Sequence, residues 1–228
     1  MMYAIPTTLL AAIALLAVPV EVTAGGSDPQ ECVDAAVEAI ENHYESVLDL
    51  RAAFIQTTRS VALGGAGRAG ANTSRGTVVF AKPGKMRWSY EEPEPSLVVS
   101  NGETLWLYDP VHAEVQRMSV TGGFLSGAAI QLLIGEGDLR RDFRVTEVSC
   151  AGGVALLELV PRVDATYEKL RVLADLESGE VRRTTIFDLV GNVTEVTFDD
   201  VRTNQSPADA VFRFEPPEGV EVIDLDAP

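Results

Sequence analysis

Most of the chain alternates between apolar and polar residues with a period of two, which is the pattern of a half-buried β-strand. Turn residues such as glycine, proline and asparagine separate the alternating segments. The pattern predicts eleven strands, at residues 53–58, 75–81, 85–90, 96–100, 104–108, 113–119, 143–149, 154–160, 168–174, 180–187 and 193–202. Helices do not alternate with these strands. The sequence therefore predicts a mainly β, antiparallel sheet that twists and curls.

Three turn signals divide the centre of the chain: Pro83-Gly84, the segment Glu91-Glu92-Pro93-Glu94-Pro95, and Asn101-Gly102. Pro83-Gly84 suits the middle of a type II turn, because proline presets the first φ and glycine supplies a positive second φ. Asn101-Gly102 lies between apolar runs and predicts a two-residue type I′ turn, which needs a positive φ at both positions. Residues 75–108 are therefore expected to form four strands of a meander.

The side chains on these central strands restrict how the sheet can be covered. Met86, Trp88 and Tyr90 share one face, because residues two apart in a strand point the same way. The segments 96–100 and 104–108 are apolar on both faces. Such a sheet is either covered on both sides, as an ordinary core, or offers one side to an apolar ligand.

Two regions have helical character. Residues 27–50 predict an N-terminal helix. Asp28 can cap this helix, and Pro29 fits in its first turn. One apolar stripe at helical spacing runs along it, with Val33, Val37, Ile40, Tyr44 and either Val47 or Leu48.

Residues 128–134 predict a short helix that is apolar on nearly every side, with glycine-rich joints before and after it. A helix of this kind must be buried on both sides, either as a fixed plug on the sheet or as a movable lid over it. Asp138 can cap a further one-turn helix that carries Leu139 and Phe143.

The N-terminus resembles an export signal. Residues 9–18 are an apolar run followed by small residues up to Ala24, which predicts a signal peptide over residues 1–24 and one domain over residues 25–228. No Lys or Arg precedes the run, so a retained membrane anchor is the alternative. The run is short for a hydrocarbon core of about 30 Å.

Charge and cysteine content refine this interpretation. The net charge of −16 argues against binding to nucleic acid and to anionic membrane surfaces, which attract clusters of Lys and Arg. The chain contains two cysteines, Cys32 and Cys150. In an exported protein an even number favours a disulfide, and the alternative is two separately buried thiols.

The sequence offers no candidate catalytic centre. His43 and His112 are the two histidines, and neither belongs to a metal-binding spacing, so we predict no metal and no cofactor. A serine nucleophile motif of the GxSxG type is absent. The abundant acidic residues lie in predicted turns and on predicted helix surfaces, as expected for side chains that are exposed to solvent. We therefore expect a protein that is not an enzyme.

The central segments resemble a known family. Lys82-Pro-Gly, then Met-Arg-Trp-Ser-Tyr, then Leu-Val-Val-Ser-Asn-Gly and Leu-Trp-Leu-Tyr-Asp-Pro follow one another over residues 82–110. This order and spacing resembles the periplasmic outer-membrane lipoprotein carrier family, LolA type. The resemblance extends weakly over residues 30–224. It implies a curved, incompletely closed antiparallel barrel of about eleven strands, with helices over the concave side.

The resemblance also implies a site. Acyl chains of lipoproteins bind on the apolar concave side in that family, and the resemblance favours a lid at residues 128–134. The pattern does not decide whether Leu105 and Leu107 or Trp106 and Tyr108 point inward. We predict that Leu105 and Leu107 do. The predicted lining is Met86, Trp88, Tyr90, Leu97, Val99, Leu105 and Leu107, with Phe124, Leu125, Ile130 and Leu133 from the lid.

One position departs from the family pattern. Some members hold the lid shut with an arginine just before the proline of the first turn, and this chain has Lys82 there. Lys82 is therefore a candidate lid contact, although lysine is a point charge without the planar fork of arginine.

The function that the resemblance implies is a monomeric periplasmic chaperone that carries lipoproteins from the inner to the outer membrane. Its expected partners are lipoproteins, an inner-membrane lipoprotein-releasing ABC transporter and an outer-membrane acceptor. The alternatives are an envelope sensor or adaptor of the same fold that binds a partner protein or free lipid, and an envelope hydrolase for which no residues can be nominated.

Overall fold

A computed structural model describes residues 29–61, 71–120 and 138–226. It contains helix α1 (Pro29–Glu45), the one-turn helix α2 (Leu139–Asp142) and a 3-10 turn at Asp209–Phe212. The strands are β1 (Asp49–Arg59), β2 (Ala71–Ala81), β3 (Lys85–Glu92), β4 (Ser96–Asn101), β5 (Thr104–Asp109), β6 (Glu114–Ser119), β7 (Phe143–Ala151), β8 (Val154–Pro161), β9 (Tyr167–Asp175), β10 (Val181–Asp188), β11 (Val193–Thr203) and β12 (Glu221–Asp224). No helix in these ranges is both long and apolar enough to cross a membrane.

All described strands form one open sheet in the order β12-β6-β5-β4-β3-β2-β1-β11-β10-β9-β8-β7. The eleven predicted strands and the four-strand meander β2–β5 are confirmed. The sequence analysis missed β12, which adds a twelfth strand beside β6. This strand pairs in parallel, so the expectation of a purely antiparallel sheet is wrong at that edge. Strand β12 was missed because its four residues are too few to show the period of two by which the other strands were predicted.

The N-terminal helix is confirmed, but it ends earlier than predicted. Helix α1 stops at Glu45, and the chain enters β1 at Asp49. The carboxylate of buried Asp49 accepts hydrogen bonds from the backbone N–H groups of Gln205 (2.7 Å) and Ser206 (3.0 Å). A segment more than 150 residues away thus stabilises this turn, and local periodicity could not reveal it. The proposed cap, Asp28, lies outside the described residues.

Helix α1 packs across β7, β8 and β9. Its buried face carries residues of the predicted stripe, including Val37, Ile40 and Tyr44. The Tyr44 hydroxyl accepts a hydrogen bond from the backbone N–H of Val181 (3.2 Å). At the other end, Cys32 is joined to Cys150 by a disulfide, with 6.0 Å between the Cα atoms. The helix is therefore fixed to the sheet at both ends.

The central turns are present, but one differs in type. Gly84 has φ +61°, as the Pro-Gly turn requires. Gly102 has φ +97°, whereas Asn101 remains in β4 and is not among the residues with positive φ. The Asn101 side chain instead accepts hydrogen bonds from the backbone N–H groups of Glu103 and Thr104, both at 2.8 Å. The predicted type I′ turn is wrong, because the asparagine caps the loop with its side chain.

The one-turn helix is confirmed at the position that the sequence indicates. Asp138 accepts a hydrogen bond from the backbone N–H of Arg141 (2.7 Å), and Leu139 is buried. Phe143 belongs to β7 and not to the helix. An ion pair between Arg140 and Asp34 (2.9 Å) joins α2 to α1. The predicted helix at 128–134 and the signal peptide lie outside the described residues.

Replacing Gly76 in β2 with alanine is expected to destabilise the fold. A Cβ at this position would lie 1.9 Å from the Ser89 carbonyl oxygen and 3.0 Å from the Phe54 ring. We expect a loss of about 1–3 kcal/mol, which is the usual cost of overpacking. Urea denaturation measures it, and Asn72→Ala on the same strand is the control, expected within about 0.5 kcal/mol of the parent. Equal stability of both variants would contradict the packing at Gly76.

The disulfide is expected to contribute much of the stability, because it closes a loop with a sequence separation of 118 residues. The chain-entropy model gives roughly 4–5 kcal/mol for such a loop. We expect that loss in the Cys32→Ala/Cys150→Ala double variant, measured by urea denaturation. Dithiothreitol should destabilise the parent by a similar amount and leave the variant unchanged. A loss below about 1 kcal/mol would show that α1 is held without the bond.

Candidate functional site

Pairing between strands defines an inner face of the sheet, which is the side that carries Trp88. Directly paired residues point to the same side, and Trp88 pairs with Val98, which in turn pairs with Leu107. Met86 pairs with Ser100, which in turn pairs with Leu105, so these residues also lie on the inner face. The inward choice of Leu105 and Leu107 therefore agrees with the pairing.

Two predicted lining residues lie on the opposite, outer face. Val99 pairs with Arg87 and Trp106, and Leu97 pairs with Ser89. The prediction that Leu97 and Val99 face the cavity is wrong. Both faces of β4 are apolar, so the sequence did not show which face turns inward.

The C-terminal segment covers this outer face. Arg87 donates a hydrogen bond to the Val211 carbonyl (3.2 Å), and the Lys85 ammonium binds the Asp209 carboxylate (2.7 Å). Phe212 is 2% exposed at this site. The ring of Phe214 lies 6.3 Å from Trp106 and 5.5 Å from Tyr108, measured between ring centroids. The apolar outer surface of β3–β5 is therefore occupied by the protein's own chain.

The inner face contains an apolar cavity of about 200 Å³. It extends from β4 to β10 across the middle of the curved sheet. Its lining residues are Gln56, Met86, Trp88, Tyr90, Val98, Thr184, Ile186, Thr194, Val196 and Phe198. Met86, Trp88 and Tyr90 thus lie where the sequence analysis expects them. Leu105 and Leu107 share the inner face but are not lining residues of this cavity.

Aromatic rings form the base of the cavity. Trp88 lies 4.9 Å from Phe54, 5.8 Å from Phe80 and 6.3 Å from Phe198, measured between ring centroids. These rings come from β1, β2, β3 and β11, so one cluster joins the two halves of the sheet. The absence of a side chain at Gly76 lets the Phe54 ring approach β2 closely.

A chain of hydrogen-bonded polar groups crosses the inner face beside the aromatic cluster. The Tyr90 hydroxyl donates to the Gln56 carbonyl oxygen (3.0 Å), and the Gln56 amide donates to Thr58 (3.5 Å). The hydroxyls of Thr58 and Thr194 lie 3.3 Å apart. Burial raises the pKa of Tyr90 to about 12, against a smaller opposing effect of its bond to Gln56. We call Tyr90, Gln56, Thr58 and Thr194 the polar strip.

Five exposed aliphatic side chains lie in loops at one end of the sheet. The loops that follow β1, β5, β8 and β10 all emerge at this end, because these strands run in the same direction. We call this set the mouth rim: Val61, Val111, Val163, Leu189 and Val190. The exposed fractions are between 54% and 77%, which is high for large apolar residues.

Lys82 binds the end of helix α1. Its ammonium donates a hydrogen bond to the Tyr44 carbonyl (2.8 Å), and its backbone N–H donates to the Leu48 carbonyl (2.9 Å). A cation at this place also interacts favourably with the negative end of the helix dipole. The described contact of Lys82 is thus with α1.

Several site residues were missed or lie outside the described part of the chain. The cavity residues contributed by β10 and β11 were not predicted, although their alternating apolar pattern marks one face of each strand. The predicted lid residues Phe124, Leu125, Ile130 and Leu133 lie outside the described residues. In the described part of the chain, no three His, Cys, Asp or Glu side chains come together as a metal-binding group.

Comparison with known proteins relates the chain to a family of carriers. The family described as "Outer membrane lipoprotein carrier protein LolA" matches residues 45–215. The outer-membrane lipoprotein carrier protein of Nitrosospira multiformis is 31% identical over 188 residues, which are 82% of this chain and 87% of that protein. The corresponding protein of Dechloromonas aromatica is 33% identical over 153 residues, covering 66% and 71% of the two chains.

A solved structure shows the same fold at low identity. An uncharacterized conserved protein from Thermus thermophilus superposes with a TM-score of 0.51 and 11% identity. The match covers 84% of this chain and 98% of the other. At this identity the likeness concerns the fold alone.

Substitution of Lys82 with methionine is expected to loosen the end of α1. The variant loses a charged hydrogen bond to the Tyr44 carbonyl, which we estimate at about 1 kcal/mol after allowing for partial exposure. Hydrogen exchange in the last turn of α1 should accelerate roughly fivefold. Lys85→Met, which breaks an ion pair on the outer face, is the control and should leave that exchange unchanged. Unchanged exchange in Lys82→Met would show that α1 does not depend on this contact.

Proposed function

Because the chain belongs to the LolA family of outer membrane lipoprotein carrier proteins, we propose that it binds lipoprotein acyl chains and carries them through the periplasm to the outer membrane. The single observation that supports a binding site here is the apolar cavity on the inner face. Met86, Trp88 and Val98 are the proposed contacts of the acyl chain. The protein acts as a carrier, with no covalent chemistry.

The energetic need for such a cavity follows from the ligand. Each methylene group transferred out of water contributes about 0.8 kcal/mol, so a chain of about fifteen methylenes costs on the order of 12 kcal/mol to expose. The cavity of about 200 Å³ is smaller than typical drug-sized sites of roughly 300–1,000 Å³. It holds part of one acyl chain in this state. Partial enclosure favours release, since a carrier must give up its cargo.

The remaining properties fit passage between two membranes. A net charge of −16 opposes adsorption to anionic bilayers. Residues 1–24 act in this proposal as a signal peptide that directs residues 25–228 to the periplasm as one domain.

The mouth rim is the proposed contact surface for the two membrane partners, an inner-membrane ABC transporter that releases lipoproteins and an outer-membrane acceptor. Thr58 and Thr194, at the same end of their strands as the rim loops, connect it to the cavity wall. Cargo that enters or leaves at this end has a short path to the apolar lining. Leu189 and Val190, 68% and 73% exposed, are the most prominent apolar pair in one loop.

Site-specific photocrosslinking in the exported protein tests the proposal. A benzophenone amino acid replaces Ile186 in the cavity or Ile55, which is exposed on the outer face of β1. We expect adducts with several different lipoproteins from position 186 and few from position 55. Equal labelling from both positions, or no lipoprotein adduct from 186, contradicts the carrier function. A single protein adduct without lipid would favour a sensor or adaptor.

A further inference from the structure

We propose that the polar strip recognises the carbonyl oxygen at the head of an acyl chain, so that the cavity selects esters and amides of fatty acids over bare hydrocarbon. This inference rests on the proposed function and assigns a ligand group to residues beyond the apolar lining. It commits one N–H of Gln56 and one threonine hydroxyl of the strip to hydrogen bonding with the ligand.

The polar strip has more hydrogen-bond donors than it uses internally. The strip contains one Tyr O–H, two Gln N–H and two Thr O–H donors. The Tyr90 hydroxyl and one N–H of Gln56 are used within the strip, and one hydroxyl is shared between Thr58 and Thr194. One N–H of Gln56 and one threonine hydroxyl therefore remain without a partner among the described residues. These two donors match the acceptor oxygens of acyl carbonyl groups.

Hydrogen bonds within the strip also set the orientation of the Gln56 amide. The Tyr90 hydroxyl donates to the Gln56 carbonyl oxygen and so directs the amide nitrogen of Gln56 away from Tyr90, toward Thr58. The Tyr90 ring is itself held edge-on against Phe54, with 5.1 Å between the centroids. Tyr90 is thus a positioning residue, and Gln56 presents its N–H groups from a fixed side chain.

The threonines of the strip lie near the ends of their strands, on the side of the mouth rim. Thr58 is the last residue but one of β1, and Thr194 is the second residue of β11. Met86 and Phe198 lie farther from that end, on the apolar side of the cavity. A hydrocarbon chain that lies against Met86 and Phe198 has its carbonyl end near the strip and its polar head toward the mouth rim.

The apolar surroundings make this contact selective. An unpaired donor beside Trp88 and Val196 gains more from a ligand carbonyl than it would in water, because the local dielectric is low. A ligand with the same chain length but no carbonyl leaves the donors unpaired when it excludes water. Sites built to hydrogen-bond a ligand group discriminate strongly against analogues that lack the group.

The experiment compares two lipopeptides that differ only in the linkage of their chains. One carries palmitoyl esters, and the other carries hexadecyl ethers of the same length. Dissociation constants are measured by displacement of N-phenyl-1-naphthylamine from the full-length protein. The parent should bind the ester form roughly tenfold more tightly, which corresponds to two ordinary hydrogen bonds.

Variants assign the preference to the strip. Gln56→Leu and, separately, Thr194→Val should each reduce the ratio of ester to ether affinity by about threefold. Thr57→Val is the matched control, because Thr57 pairs its hydroxyl with Thr73 (3.4 Å) on the outer face. The control should retain the parental ratio. Thr194→Val keeps the test decisive if Gln56→Leu fails to fold.

The outcomes separate this inference from the carrier function. Equal affinities for ester and ether in the parent, or a ratio unchanged in both strip variants, overturns the role of the strip and leaves lipid carriage intact. Failure of both lipopeptides to bind would instead reject the carrier function.

Phosphatidylethanolamine with two palmitoyl chains serves as a second ligand, because it offers the same carbonyl groups from a free lipid. Tighter binding of the lipopeptide identifies lipoproteins as the source of the bound acyl chains. Tighter binding of phosphatidylethanolamine identifies phospholipids as that source. In either case Gln56→Leu must lower the affinity for the ligand that the parent binds more tightly, or the inference fails.

Discussion

The structure depends on how an open sheet keeps its two apolar faces away from water. A closed barrel hides one face by curvature, but this sheet ends in two edges, at β12 and β7. Apolar residues on both faces of β4 and β5 demand cover on both sides. The outer face receives it from the C-terminal segment, through buried Phe212 and the ring of Phe214. The inner face retains an apolar cavity.

Helix α1 and the loops of the mouth rim differ in how they are held to the rest of the protein. Helix α1 is tied to the sheet by the Cys32–Cys150 disulfide and, at its other end, by the Tyr44 hydroxyl and Lys82. Gly179 lets the β9–β10 turn lie against this helix, since a side chain there would strike the backbone of Ala39. Helix α1 is thus fixed by covalent and polar contacts, whereas the mouth rim is formed by exposed loops.

The sequence predicted the strands well because their period of two is a local property. It predicted the inner position of Met86, Trp88 and Tyr90 for the same reason. It failed at Leu97 and Val99, because a strand that is apolar on both faces carries no local sign of which face turns inward. The end of α1 and strand β12 depend on contacts with distant residues, Asn204–Ser206 and β6, which no window of sequence contains.

The two tryptophans allow the central claim to be measured directly, because Trp88 lines the cavity and Trp106 lies on the outer face against Phe214. Trp106→Phe leaves Trp88 as the sole tryptophan, and Trp88→Phe leaves Trp106. Fluorescence is recorded while a lipopeptide with brominated acyl chains is added. The account predicts saturable quenching of Trp88 and little quenching of Trp106. Equal quenching of both, or none at Trp88 when the lipopeptide is bound, would contradict an acyl-binding cavity on the inner face.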